Sequence, residues 1–214
     1  MGTESHTTPP DAAGGLKIPA THWDDLEERL PEDICRKSMA VLHPNGVYAL
    51  RFLNREILVD TQNRQLWKDM PGAAPEKIND PLLTLILLVY LRDAAEIEPE
   101  NVIAAPQELR EGHFFTGVHA LDVEGVVKRF GHDPEGFSRA AEAVGGTRES
   151  YADVSYRFSA LPRIPIYYLL WEGDEEFPPN LTVCFDRTIE RHLAADAIWG
   201  LVKQVSRELL RVAA

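Results

Sequence analysis

Cysteine is scarce in this chain of 214 residues: Cys35 and Cys184 are the two present, far apart, and no CxxC pair occurs. That spacing excludes a disulfide framework and any self-contained zinc or iron–sulfur site, and two isolated thiols read as reduced side chains of a cytoplasmic protein. Positive charge is scarce as well, with 22 Lys and Arg against 34 Asp and Glu and a net charge of −12. A field of that sign repels phosphate backbones and anionic lipids, so neither nucleic-acid binding nor electrostatic membrane docking is expected, and a cation or a basic partner is favoured. There is no long hydrophobic run. The most apolar stretch, LLTLILLVYL from Leu82 to Leu91, is about half the ~20 residues that span a bilayer and reads as a buried core helix. The first residues, MGTESHTTPPDAAGG, lack the basic and apolar regions of an export signal, and His6 fails the Ser/Thr requirement of N-myristoylation, so neither export nor anchoring is expected. GxSxG, Walker A, GxGxxG, HExxH and EF-hand patterns are all missing, which leaves the common hydrolase, kinase and dinucleotide readings without support and names no cofactor.

What is present has a globular balance, 44% apolar and 26% charged, enough to bury a core. Residues 1–20 combine prolines and glycines with small polar residues and read as a flexible tail before a single domain at 21–214. Thr21 and Asp24 resemble a capping box opening a first helix, and Ile34, Ser38, Met39 and Leu42 predict a second that ends before His43. Alternation at Tyr48, Leu50 and Phe52, then at Ile57 and Val59, predicts a hairpin, with a third strand at 65–67 before the Pro and Gly residues of 71–75 close the meander. Asp80 and Pro81 supply an N-cap and an N1 proline for a helix over 82–95, apolar on every side and therefore expected to be buried on every side. Residues 96–120 break every period and predict a loop with a short extended piece at 113–115. Two amphipathic helices follow, meeting at Gly131, the second capped by Asp133 and stopped at Gly145 and Gly146. Strands are predicted at 154–158, 164–171 and 181–185, the middle one central, and a final helix over about 195–213. The order predicts an α+β fold: mostly antiparallel sheet packed against several helices, with no strand–helix–strand alternation of the parallel kind.

Two places carry candidate chemistry. Trp171-Glu172-Gly173-Asp174-Glu175-Glu176-Phe177-Pro178-Pro179 joins two strands through a loop with four carboxylates, and crowded like charges raise one another's pKa until a cation or basic partner relieves them. Ligand or partner binding by Trp171, Asp174, Glu175, Glu176 and Phe177, joined by Asp186, stands beside two alternatives: an acidic solvated turn, and a carboxylate pair acting as general acid and base, with or without a metal. His113 and His119, six apart, share a face of an extended chain and form a weak metal-ligand pair, with Asp122 or Glu124 as a third donor. The same spacing fits ordinary packing histidines, and His132 and His192 read as helix-flanking residues.

The stretch from LLW through EGDEEFPPNLTVCFD to a terminal amphipathic helix resembles the bacterial and archaeal domain-of-unknown-function family 3786. The segments LLTLILLVYL, PQELREGHFFTG, FGHDPEGFSRAAEAVGG and GVYALRFLNREILVD agree with it, over about residues 24–212. Some relatives look joined to a four-cysteine iron–sulfur domain, so the resemblance implies an accessory role in iron–sulfur or corrinoid metabolism of anaerobes. With two cysteines here, the cluster would belong to a protein partner, a metalloenzyme or an iron–sulfur protein. The resemblance also makes Trp171, Asp174, Glu175, Glu176, Phe177 and Asp186 the most recognisable segment, as fold signature or as site.

Overall fold

The structure is a computed structural model that describes residues 16–213. It is α+β, with six helices and two five-stranded antiparallel sheets among the described residues. Most of the expected tail lies outside the described residues; of its last five, Ile18 packs against the core.

The first sheet is a meander of β1 (Val41–Leu42), β2 (Val47–Phe52), β3 (Arg55–Asp60), β4 (Gln65–Lys68) and β5 (Glu76–Ile78). The second runs β6-β10-β9-β8-β7 in space, from β6 (Ile103–Ala104), β7 (Thr147–Glu149), β8 (Val154–Leu161), β9 (Ile164–Trp171) and β10 (Asn180–Asp186). The almost wholly apolar β9 is central, as its composition requires: every residue of it but Trp171 is buried. Leu53, in the β2–β3 turn, takes φ +54°, a region that favours glycine; its buried side chain and its N–H to Ala160 O (3.1 Å) hold it there and stitch the two sheets together.

The helices are α1 (Thr21–Glu27), α2 (Pro31–Ser38), α3 (Pro81–Asp93), α4 (Glu124–Phe130), α5 (Pro134–Ala143) and α6 (Ala195–Val212). One continuous core runs through α3, α6 and both sheets, with α1 and α2 packed on α3 and with α4 and α5 on α6. Across that core the Tyr168 hydroxyl of β9 donates to Val202 O of α6 (3.0 Å). Asp80 caps α3 by accepting the Leu83 N–H at 3.0 Å, and Asp133 caps α5 by accepting the Gly136 N–H at 2.8 Å, both as the sequence predicts. Among the described residues, no helix is long and apolar enough to cross a membrane.

Four expectations are corrected. The Thr21–Asp24 capping box does not form; Ala20 precedes the helix without a side-chain cap, and Asp24 pairs instead with Arg64. Met39 and Leu42 do not ride on α2, because Met39 turns left-handed at φ +59° and ends it, sending Val41 and Leu42 into the edge strand β1. The extended piece of 96–120 is β6, not 113–115, which winds into a 3₁₀ turn over Gly112–Phe114. The meander continues past the 71–75 loop into β5, and β7 adds a further edge strand before β8.

Asp80 also ties α6 to the start of α3: Gln204 Nε2 donates to both of its oxygens (3.0 Å each) and Arg207 Nη1 to one (2.9 Å). Asp80→Ala removes the cap and strands the buried Gln204 amide, and the expected loss is about 2–4 kcal/mol of unfolding free energy. In urea denaturation this lowers the midpoint at unchanged slope, while Asp80→Asn, which keeps an acceptor for Leu83, costs less.

Candidate functional site

The acidic loop forms the tip of the β9–β10 hairpin, beyond the terminal pair Trp171–Asn180. Asp174 shapes it. Its N–H donates to Phe177 O (2.9 Å), while its Oδ1 accepts the N–H groups of Phe177 (2.7 Å) and Glu176 (2.8 Å). Those backbone donors, Phe177 first, hold the Asp174 carboxyl below the usual carboxylate range, the reverse of the rise expected from crowded like charge. Gly173 is needed because a Cβ there would lie 2.7 Å from Pro179 N and 2.9 Å from His132 Cε1. The Glu172 N–H donates to Asp153 Oδ2 (3.0 Å), bracing the base of the tip against the turn before β8. From this braced frame Glu172, Glu175 and Glu176 stand in solvent, beside Trp171 at 36% exposure and Phe177 at 67%.

Asp186 does not join them. It ends β10 at the far side of the sheet, six residue steps or roughly 20 Å from the tip. There it is fully buried and accepts four hydrogen bonds: from the N–H of Asn101 (2.6 Å), Thr188 (3.0 Å) and Glu100 (3.2 Å), and from the Thr188 hydroxyl (2.7 Å). Burial pushes its pKa up, but the Thr188 hydroxyl and the backbone donors outweigh that and hold it ionised. Its role in the fold is to pin the 96–102 loop, including the left-handed Asn101 (φ +57°), to the turn after β10.

His113 and His119 lie in separate 3₁₀ turns, Gly112–Phe114 and Gly117–His119, so the extended chain that would put them on one face is not formed. Both are exposed; the His119 ring stacks on Phe114 at 4.4 Å, and Asp122, a suggested third donor, pairs with Lys203 (3.3 Å). Among the described residues no group of three or more His, Cys, Asp or Glu side chains is placed to hold a metal ion. Cys35 and Cys184 are free thiols, and burial pushes both up in pKa, away from nucleophilic use.

A second polar centre has no signature in the sequence. Arg163, buried in the β8–β9 turn, donates through Nε to Lys37 O (2.7 Å) and through Nη2 to Arg36 O (3.2 Å), a cation at the C-terminus of α2; Nη1 meets the Glu98 carboxylate. Its N–H donates to the Tyr90 hydroxyl (3.2 Å), which donates to Ser38 O (3.1 Å). His192, on the short segment between β10 and α6, is 1% exposed. Its Nδ1 accepts the Ala95 N–H (3.3 Å), which places the ring proton on Nε2, and Nε2 has no partner among the described residues. Burial first, then the Arg163 cation, pushes its pKa down to about 4. His192 lines a pocket of about 250 Å³ together with Arg110, Glu190, Arg191 and the start of α6. With Asp93 the lining comes from three stretches of chain, at 93, 110–111 and 190–195, which is why local spacing hides the pocket and His192 passes for a helix-flanking residue.

A ring that titrates near 6.5 when unfolded and near 4 when folded leaves the unfolded chain holding more protons between those values, so stability falls as pH is lowered through that window. From pH 7 to pH 5 the expected loss from this ring is about 2 kcal/mol. Denaturant titrations across that range check it: His192→Asn, whose amide oxygen can still receive the Ala95 N–H, is expected to flatten the slope.

A family model described as a domain of unknown function (DUF3786) matches residues 31–208, from the first residue of α2 to within the last turns of α6. No curated protein and no solved structure matches the chain. The matched stretch contains the hairpin tip, Asp186 and His192, and it lies within residues 24–212 and covers most of them. The chain belongs to the DUF3786 family, whose description assigns it no function.

Proposed function

We propose that this is a binding or accessory protein that acts by docking on a protein partner, with the β9–β10 tip as its contact. The observation that carries the reading is the tip's combination of rigidity and exposure: Asp174 and Gly173 fix the backbone, so Trp171 and Phe177 are presented with little entropy left to lose. Aromatic side chains ringed by charge suit the anatomy of a docking site, in which the rings supply buried area and Glu172, Glu175 and Glu176 steer a basic face. The metallocofactor link enters through the family resemblance: the partner is a cytoplasmic metalloenzyme or iron–sulfur protein, which would supply the cluster this two-cysteine chain cannot hold. The alternative, a carboxylate- or metal-dependent enzyme at 171–186, draws less support. Asp174 is engaged by backbone donors and held ionised, which unsuits it as a general acid, and Asp186 is on the opposite side of the sheet.

The test is capture from an anaerobic bacterial lysate by wild type and by the surface variant Phe177→Ala/Glu175→Gln/Glu176→Gln, with a photo-crosslinking residue at position 172 to locate the contact. A partner that crosslinks at the tip, carries iron or cobalt, and is retained at least about tenfold less by the variant is the expected result, the size set by one or two interface anchors. Equal retention removes the tip from the reading, and a metal-free partner removes the cofactor link.

A further inference from the structure

The sequence makes α3 apolar on every side, yet Leu82, Leu85 and Val89, at i, i+3 and i+7, remain only partly covered. They form one wall of a groove of about 490 Å³, closed on other sides by Trp199 of α6 and by Phe114. Beside it stands Val118, 83% exposed, the most exposed large apolar side chain among the described residues. Val118 rides on the 3₁₀ turn Gly117–His119, whose last residue also lines the groove. The turn is tied down: Trp199 Nε1 donates to Ala120 O (3.0 Å), and the His119 ring stacks on Phe114 at 4.4 Å. Gly117 has no side chain and His119 is turned back onto Phe114, so neither neighbour screens Val118. At that exposure Val118 does not fill the groove of its own chain, and a side chain presented on a fixed turn has little entropy left to lose on docking elsewhere.

The charges around the groove are settled among themselves, and that selects the occupant. Arg92 holds Asp93 (2.6 Å) and reaches Asp25 (3.3 Å), and Lys203, beside Trp199, holds Asp122 (3.3 Å). Asp196 is the one carboxylate of the lining without a cation among the described residues, and it sits in the first turn of α6, where the helix dipole favours it. A two-fold contact sets the residues near its axis against their own copies, so a strongly charged patch repels itself. In a chain of net charge −12 the hairpin tip, with Glu172, Glu175 and Glu176 in solvent, is unsuited to such a contact, whereas the groove is suited to it. Paired charges also give a basic or an acidic partner nothing to be steered by. An apolar groove with an apolar knob of the same chain beside it is complementary to itself, which is what an isologous interface requires.

We propose that the chain forms a two-fold dimer in which Val118 of each copy enters the groove of the other, against Leu82, Leu85, Val89 and Trp199. The contact covers the part of α3 that the fold leaves open and removes the exposed Val118 from water. It uses neither the aromatic rings nor the carboxylates of the hairpin tip, so it stands or falls independently of the docking reading.

Sedimentation velocity of the full chain across about 1–200 μM, the range in which an interface of modest area dissociates, tests this. The mass is expected to rise from monomer to dimer and no further, because an isologous contact closes on itself. Val118→Asp changes a side chain that is exposed in the single copy, so it leaves the fold intact, and it is expected to weaken the dimer at least about tenfold by setting a charge into the apolar groove. A photo-crosslinking residue at the exposed position 116, in an equal mixture of light and isotopically heavy chain, is expected to join the turn of one copy to segment 82–89 or 199 of the other. The tip variant Phe177→Ala/Glu175→Gln/Glu176→Gln is expected to dimerise as wild type does. A chain that stays monomeric throughout, growth beyond the dimer, a dimer undiminished by Val118→Asp or lost in the tip variant, or crosslinks that fall outside the groove overturns the proposal.

Discussion

α3 is the constraint around which the rest is arranged. A helix reading LLTLILLVYL has no face it can leave in water without cost, so α1, α2 and α6 must all find it. Its polar obligations are pushed to its two ends. At the start Asp80 satisfies the Leu83 N–H and simultaneously holds Gln204 and Arg207 of α6, so the cap and the helix–helix packing are one interaction network. Towards the finish the Tyr90 hydroxyl, buried against the core, is satisfied by Ser38 O and the Arg163 N–H, which carries the end of α2 and the β8–β9 turn to the same place.

That division explains what was legible in the sequence. Elements covered by the core announce themselves: β2, β3, β8, β9 and β10 by alternation or by continuous apolar runs, α3 and α5 by Asp-Pro starts that form the caps they promise. The elements missed are edge strands of two or three residues, β1, β5, β6 and β7, in which Thr147-Arg148-Glu149 or Glu76-Lys77-Ile78 has almost nothing to bury and is paired only because a neighbour offers its ladder. Met39 fails for a related reason. Its spacing matches the α2 stripe, but the backbone turns left-handed at that residue, and no pattern of side-chain polarity encodes that turn.

The candidate sites divide along the same line. The hairpin tip is contiguous in sequence, so a run of carboxylates between two strands was enough to find it, though not to foresee that Asp174 would be taken up in shaping the turn. Asp186 was grouped with it by proximity in sequence, and the length of an extended strand separates them. His192 could not be found in this way. The residues around it, near 93, 95, 110 and 190, converge only after β6 has added to β10 and the 96–102 loop has been pinned by Asp186.

Three ionisable side chains are buried in this part of the molecule, and they are satisfied unequally. Asp186 has four donors, and Arg163 has two carbonyls and the Glu98 carboxylate; each rigidifies the segments it joins. His192 has one bond and one orphan. An unmet buried donor costs about 1–3 kcal/mol, a large fraction of the 5–15 kcal/mol by which proteins are stable. The half-covered stripe of α3 adds a second cost of hydrophobic kind, and the two lie on either side of Asp93 and Ala194. Costs of different chemistry placed side by side, in a fold whose other buried side-chain polar atoms are satisfied among the described residues, set this corner of the molecule apart from the rest of the core.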